Sequence, residues 1–143
     1  MADVFTAKKR SSIMSRIRSC RNQRTELRFA SLLRQHHIVG WRRNAPVFGK
    51  PDFIFRDANI AVFVDGCFWH RHPRCKLAYM PKSRVTYWRR KFKANVQRDA
   101  VVTRTLKRCG WKILRVWECE LNGARRCLVI AKIARALRAS GSV

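Results

Sequence analysis

The spacing of apolar residues along the chain predicts helices separated by short strands. The first helix begins at the capping residue Thr25 and ends near His36. Its apolar face consists of Leu27, Phe29, Ala30 and Leu33. A last helix runs from about Arg125 to Arg138, with apolar positions at Leu128, Ile130, Ala131, Ile133, Ala134 and Leu137.

A long central helix is predicted from Ser83, which could cap it, to about Cys109. Its apolar stripe advances by steps of four and three residues and comprises Trp88, Phe92, Asn95, Asp99, Val102 and Leu106. An unpaired carboxylate on such a face is costly. We therefore expect Asp99 to have a partner: a histidine such as His70, an arginine or a hydrated metal ion.

Strands are predicted on either side of this central helix. Two apolar runs, 53–55 and 60–64, flank a turn signal at 57–59 and predict a hairpin. The alternating segment 111–117 predicts a further strand. The order helix, two strands, helix, strand, helix is typical of an α/β fold, here an α+β mixed sheet flanked by helices. We expect a single domain over residues 25–140.

The charge of the chain indicates a polyanionic partner. It has 33 Lys and Arg against eight Asp and Glu, a formal net charge of +25, which favours binding to nucleic acid. Residues 1–24 form a basic arm that either orders on DNA through Lys8, Lys9 and Arg10 or is an ordinary disordered terminus. The sequence has no long apolar run and no secretory signal, so a soluble cytoplasmic protein is expected.

The few acidic residues are informative in so basic a chain. A phosphate-binding face has an electrostatic reason to avoid carboxylates, and holding a divalent cation is a common reason to keep one. The acidic residues are Asp3, Glu26, Asp52, Asp57, Asp65, Asp99, Glu118 and Glu120.

Cysteine and histidine cluster in the irregular segment 66–81. This segment contains Cys67, His72 and Cys75, and Cys119 follows the last predicted strand. Three cysteines and one histidine are a common closed ligand set for a structural zinc ion. The alternative is a group of buried free thiols beside an exposed histidine. The other cysteines lack a nearby histidine and are interpreted as packing residues: Cys20, Cys109 and Cys127.

Carboxylates bracket the predicted hairpin. Asp52 precedes its first strand, Asp65 ends its second, and His70 follows shortly. Such an aspartate could hold a divalent cation on a scissile phosphate, and His70 could transfer the proton. Each residue also has a plainer reading. Asp52 could be a turn residue, His70 a spare zinc ligand and Asp99 the partner of an arginine.

Several stretches of the sequence resemble the very-short-patch repair endonucleases, the Vsr family, and occur in the family's order. They are Gly49–Phe53, Asp65–His70, Tyr87–Trp88 with Asn95–Asp99, and Gly110–Cys119. The resemblance spans most of residues 8–120. It implies a restriction-endonuclease-like fold with a structural zinc site, and a magnesium-dependent endonuclease that nicks one DNA strand at T:G mismatches arising from deaminated 5-methylcytosine.

The resemblance also implies roles for particular residues. Asp52 resembles the magnesium-binding aspartate, and the residue at Val64 supplies a backbone carbonyl to the same ion. His70 resembles the catalytic histidine, while Glu26 and Asp99 resemble the carboxylates that hold metal-bound water and orient that histidine. The zinc positions fall on Cys67, His72, Cys75 and Cys119. The DNA-contacting positions fall on Asn95 and on the aromatic residues that wedge beside the mismatch, Phe68, Trp69 and Trp88.

One position departs from the pattern, because a well-known member of the family has a histidine where this chain has Asp65. Asp65 is therefore a further catalytic or metal-binding candidate, or a plain structural residue. The expected partners are double-stranded DNA with a T:G mismatch, a cytosine-5 DNA methyltransferase and a repair polymerase, and the chain is expected to be a monomer. The alternatives are a relaxed nicking or restriction-system endonuclease on the same scaffold, and a non-enzymatic zinc DNA-binding protein.

Overall fold

The structure is a computed structural model that describes Lys8 and residues 23–141. The prediction for the basic arm, including Lys9 and Arg10, therefore lies almost entirely outside the described residues, as does Cys20. Within the described part of the chain, no helix combines the length and apolarity needed to cross a membrane.

A mixed sheet of four strands organises the described residues, with its strands side by side in chain order. The strands are β1 (Trp41–Arg43), β2 (Phe53–Phe55), β3 (Ile60–Asp65) and β4 (Lys112–Trp117). The first three pair antiparallel, whereas β3 and β4 are parallel. The predicted hairpin is confirmed as β2 and β3, joined by a 3-10 turn and by Asn59 in the left-handed conformation.

The parallel pair determines which segments meet at the edge of the sheet. Parallel strands need a long crossover, and α2 (Val85–Arg108) provides it between β3 and β4. The register pairs Ile60 with Lys112 and Asp65 with Trp117, so both strands end at the same edge. The segments that follow Asp65 and Trp117 therefore start side by side.

Helices cover both faces of the sheet because successive side chains of a strand point to opposite faces. On one face, α1 (Arg28–Gln35) and α3 (Arg125–Ala139) contribute to a buried cluster with β2 and β3. On the other, α2 packs in a smaller cluster of Ile54, Ala61, Phe63, Val102 and Leu106. The expected α+β mixed sheet with flanking helices is thus present, and Asp99 lies on the same face of α2 as Val102.

Several element boundaries differ from the sequence prediction. A π-helical turn, Gln23–Leu27, leads into α1, so Thr25 lies inside a helical turn and is buried instead of capping the helix. The central helix begins at Val85, and its preceding residue makes no side-chain cap. In α3, Leu128 is 70% exposed while Val129 is buried, so the predicted apolar face was partly wrong. The short strand β1 was not predicted.

A glycine fixes the loop that leads into β2. Gly49 has φ +78°, and a Cβ atom there would clash with Cγ1 of Val102 on α2. A side chain at this position would meet both backbone strain and a steric clash. The close approach seats the loop against α2, and the loop then delivers Asp52 to the start of β2.

Candidate active site and metal centre

His70 and Asp99 form a close pair beyond the ends of β3 and β4. His70 lies in the compact turn after β3, and its Nδ1 donates to Oδ2 of Asp99 on α2 at 2.6 Å. Asp65, at the end of β3, places Oδ1 3.9 Å from Nε2 of the same ring. Burial lowers the pKa of His70, but the Asp99 hydrogen bond and the nearby negative charges outweigh burial and raise that pKa overall. The expected partner of Asp99 is thus His70.

Asp52 sits at the start of β2, opposite the end of β3. Its Oδ2 accepts a hydrogen bond from the backbone amide of Val64 at 2.7 Å. Burial raises the pKa of Asp52 to about 7; the Val64 bond opposes this, and the neighbouring carboxyl groups of Glu26 and Asp65 add to it. Glu26 is itself buried and paired with Arg43 at 2.8 Å. A group of neighbouring carboxylates that is largely shielded from solvent favours the binding of a cation.

Asp65 pairs with an arginine that the sequence analysis missed. Nη1 of Arg115, in β4, lies 2.5 Å from Oδ2 of Asp65. Nη2 of Arg115 donates to Oγ1 of Thr103 at 2.9 Å, and the guanidinium covers the ring of Phe63 at 4.8 Å. The available signal was an arginine flanked by apolar residues within β4, together with a carboxylate at the end of β3. An open cleft of about 410 Å³ lies alongside, lined by Asp99, Ala100, Thr103, Arg104, Lys107 and Arg115.

A second group of side chains could hold a metal ion. The ligand atoms of Cys67, His72, Cys75 and Cys119 all lie within 4.8 Å of one another. Nδ1 of His72 is 3.6 Å from the Cys67 sulfur and 3.4 Å from the Cys119 sulfur. The His72 ring also stacks on Trp117 at 4.2 Å, which fixes its orientation.

This Cys/His group joins the two parallel strands beyond their ends. Cys67, His72 and Cys75 come from the segment after β3, and Cys119 comes from the 3-10 turn after β4. Cys109 and Cys127, in contrast, are exposed. Their interpretation as packing residues is therefore wrong.

An aromatic cluster covers the compact turn after β3. The ring of Phe68 lies 5.0–5.4 Å from four other rings, those of Trp69, Tyr79, Trp88 and Phe92. Phe68 and Trp69 are partly exposed and Tyr79 is 62% exposed, whereas Trp88 is only 6% exposed. The cluster therefore presents some of its rings to solvent and uses Trp88 as a packing base.

Two polar side chains hold the aromatic cluster in place. Nδ2 of Asn95 donates to the backbone carbonyl of Trp69 at 3.0 Å. Arg71 donates to the carbonyls of Phe68, Ala78 and Tyr79, at 3.3, 2.8 and 3.1 Å. Its guanidinium also stacks 4.0 Å from the centre of the Phe92 ring. Sequence analysis did not find Arg71, because its bonds go to backbone atoms that no side-chain pattern reveals.

Comparison with known proteins identifies the family. The family model for the DNA mismatch endonuclease Vsr matches residues 2–77. This chain belongs to the Vsr family of DNA mismatch endonucleases. The chain is 37% identical over 126 residues to the DNA mismatch endonuclease Vsr of Escherichia coli (strain K12), covering 88% of this chain and 80% of that protein.

Other relatives of this chain carry a different name. The chain is 38% identical over 125 residues to the Type II nicking enzyme V.XorIIP of Xanthomonas oryzae pv. oryzae, covering 85% of this chain and 88% of that protein. It is 33% identical over 127 residues to the Type II nicking enzyme V.NmeAIP of Neisseria meningitidis serogroup A, covering 89% of each. The resemblance drawn from the sequence motifs is thereby confirmed.

In this Vsr-family chain, the residues singled out from the sequence fall into neighbouring groups. Asp52, Val64 and Glu26 meet at the start of β2, and Asp65, His70 and Asp99 meet beyond β3. The segment that carries His70 also contributes Cys67 and His72 to the Cys/His group, and Phe68 and Trp69 to the aromatic cluster. Asn95 bonds to the backbone of that turn.

Proposed function

We propose that this Vsr-family chain nicks one strand of duplex DNA at a T:G mismatch, with Mg²⁺ held by Asp52 and the backbone carbonyl of Val64. The observation that carries the proposal is the pairing of the carboxylates around the site with cationic side chains. Glu26 forms an ion pair with Arg43, and Asp65 forms one with Arg115. Asp99 is paired with His70. Among the described residues, Asp52 has no cationic partner, although the chain has 33 Lys and Arg.

The donor set around Asp52 supports Mg²⁺ at this position. Carboxylate and carbonyl oxygens are the ligands that Mg²⁺ prefers, and Asp52 and Glu26 supply carboxylates in a buried setting. Bound there, the ion would polarise the scissile phosphate and lower the pKa of an attacking water. Glu26, fixed by Arg43, is proposed to orient metal-bound water.

His70 is proposed as the group that moves the proton. The Asp99 carboxylate selects the tautomer with a proton on Nδ1, so that Nε2 carries the free lone pair. Nε2 can then accept a proton from the attacking water and return one to the leaving oxygen. Asp99 keeps the ring oriented and stabilises its charged form.

The Cys/His group is proposed to hold a structural zinc ion. In a tetrahedral zinc site a sulfur about 2.3 Å and a nitrogen about 2.0 Å from the ion lie about 3.5 Å from each other. The separations of 3.6 and 3.4 Å between Nδ1 of His72 and two cysteine sulfurs fit this edge. Four protein ligands leave no open position, so the ion would hold the fold and take no part in cleavage. The mixed sheet with carboxylates on a hairpin supports the restriction-endonuclease-like assignment.

The aromatic cluster is proposed to recognise the mismatch. A mismatched base step unstacks at low cost, and inserted aromatic faces replace the lost stacking. Phe68 and Trp69 are partly exposed and suited to insertion. Trp88 would support them from beneath in this conformation, since it is buried. The basic arm with Lys8, Lys9 and Arg10, and Asn95, are proposed as further DNA contacts.

The mismatch itself suggests the protein's functional partners. T:G pairs form where 5-methylcytosine is deaminated, so we propose a link to a cytosine-5 DNA methyltransferase and to a polymerase that resynthesises the nicked strand. The chain is proposed to act as a monomer. A second candidate, a relaxed nicking enzyme, is favoured by the Type II nicking enzymes among its relatives.

A nicking assay tests both candidates. End-labelled duplexes with a T:G mismatch or with complete pairing are incubated with the protein and Mg²⁺ and resolved on a denaturing gel. We expect cleavage of one strand of the T:G duplex, and comparable cleavage of the paired duplex would support the relaxed enzyme.

Asp52→Ala should abolish cleavage but leave DNA binding, which depends on Lys and Arg, largely intact. The matched control is Asp57→Ala, at an exposed aspartate on the hairpin turn. Normal cleavage by Asp52→Ala would contradict the proposal.

A further inference from the structure

The ion pair between Asp65 and Arg115 has no role in the proposed reaction, yet it is closely built. Asp65 is 3% exposed, and its Oδ2 lies 2.5 Å from Nη1 of Arg115. Arg115 is in turn held by Oγ1 of Thr103 at 2.9 Å and by the ring of Phe63. A buried ion pair is a poor source of stability, because desolvation offsets its attraction. Its directional contacts suggest that it fixes the position of a group.

The second oxygen of Asp65 shows which group is affected. Oδ1 lies 3.9 Å from Nε2 of His70, which is too long for a hydrogen bond but close enough for a small side-chain rotation to form one. Nε2 has no hydrogen-bond partner among the described residues, whereas Nδ1 is occupied by Asp99. Each ring nitrogen of His70 therefore faces a carboxylate, but only Nδ1 makes a hydrogen bond to the carboxylate it faces.

We propose that Arg115 is a positioning residue that restrains Asp65 by one oxygen and thereby keeps the carboxylate from capturing Nε2 of His70. Without this restraint, Asp65 would turn toward the imidazole, and its carboxylate would accept a hydrogen bond from Nε2 as soon as that nitrogen has taken up a proton. His70 would then be held as the imidazolium, with one carboxylate on each nitrogen, and Nε2 would have no lone pair to accept the proton of the attacking water. The proposal rests on the proposed role of His70 in the reaction.

Two variants separate this role from a plain structural one. Arg115→Met removes the restraint, and Asp65→Leu combined with Arg115→Met removes both the restraint and the carboxylate. We expect Arg115→Met to lower kcat by about tenfold or more with KM changed by less than about twofold, since proton transfer is impaired and DNA binding is not. The double variant should regain most of the lost kcat, to within about threefold of wild type.

The kinetic comparison needs a control for folding, because removal of one partner of a buried ion pair destabilises a protein. Kinetics are therefore measured with saturating Mg²⁺ at a temperature where circular dichroism shows every variant folded. The crystal structure of Arg115→Met gives an independent readout. We expect a carboxylate oxygen of Asp65 within hydrogen-bond distance of Nε2 of His70.

The outcomes distinguish this proposal from the one on which it rests. If His70→Ala cleaves at the wild-type rate, the proposed function itself fails. If His70→Ala is inactive but the double variant is no faster than Arg115→Met, the restraint idea alone is overturned. An Asp65 side chain that keeps its place in the Arg115→Met crystal structure would also overturn it.

Discussion

Cys119→Ala is the sharpest test of the proposed metal centre, because Cys119 is the only member of the Cys/His group that follows β4. The remaining ligands, Cys67, His72 and Cys75, lie within one short segment. A three-ligand site in that segment would no longer join it to the end of β4. The variant therefore removes a cross-link as well as a sulfur atom.

The size of the effect follows from the length of chain that the cross-link closes. His72 and Cys119 are 47 positions apart. A cross-link closing a loop of this length lowers the entropy of the unfolded chain by an amount worth about 4 kcal/mol at 25 °C. For a domain of this size, that corresponds to a fall of roughly 10–15 °C in the melting temperature. Loss of the metal–ligand bond itself would add to the effect.

The assay combines metal analysis with thermal unfolding. Wild-type protein purified without added chelator should contain about one zinc ion per chain by mass spectrometry, whereas Cys119→Ala should lose most of it and melt at lower temperature. The matched controls are Cys109→Ala and Cys127→Ala, which remove exposed thiols outside the cluster. A Cys119→Ala protein with a full zinc content and an unchanged melting temperature would refute the argument, as would an equal effect in the controls.

The remaining predictions concern the reaction and its substrate. His70 must be neutral to accept a proton, so cleavage should fall as pH falls through its raised pKa. Asp99→Asn removes a cause of that shift, and the acidic limb of the pH–rate profile should move to lower pH while the maximal rate drops; an unmoved limb would contradict the assignment. Trp69→Ala should weaken discrimination between T:G and paired duplexes by about tenfold, or about 1.4 kcal/mol, at fixed salt. Phe48→Ala, at an exposed aromatic residue outside the cluster, is the control; an equal loss of rate on both duplexes, with a lowered melting temperature, would show that Trp69 only supports the fold.

The elements that the sequence predicted well are those whose pattern is local. The hairpin has two apolar runs and a turn signal, and the stripe of α2 repeats over many turns, so both appear as expected. The partner of Asp99 could be anticipated because a carboxylate on an apolar helix face needs one. The Cys/His group was visible because few other arrangements explain those residue types in an irregular segment.

The elements that were missed depend on contacts distant in sequence. In β1, the segment Trp41–Arg43 is short and mostly charged, and it becomes a strand because it pairs with β2 and packs Trp41 on Phe53. In α3, the apolar residues are too dense to define one face, so packing alone decides that Val129 is buried and Leu128 is not. Arg115 meets Asp65 across 50 positions of sequence, and only the parallel pairing brings them together.

The register of β3 and β4 links the two parts of the site. In that register Arg115 lies opposite Phe63, so its side chain reaches Asp65 on the same face, two residues further along β3. The same register brings Cys119, two residues beyond the end of β4, to the segment that carries His72. A shift by one residue would turn Arg115 to the other face and displace Cys119 from the cluster. The Cys/His group and the Asp65–Arg115 pair thus depend on one strand pairing, and a zinc ion bound by that group would stabilise the register that positions His70.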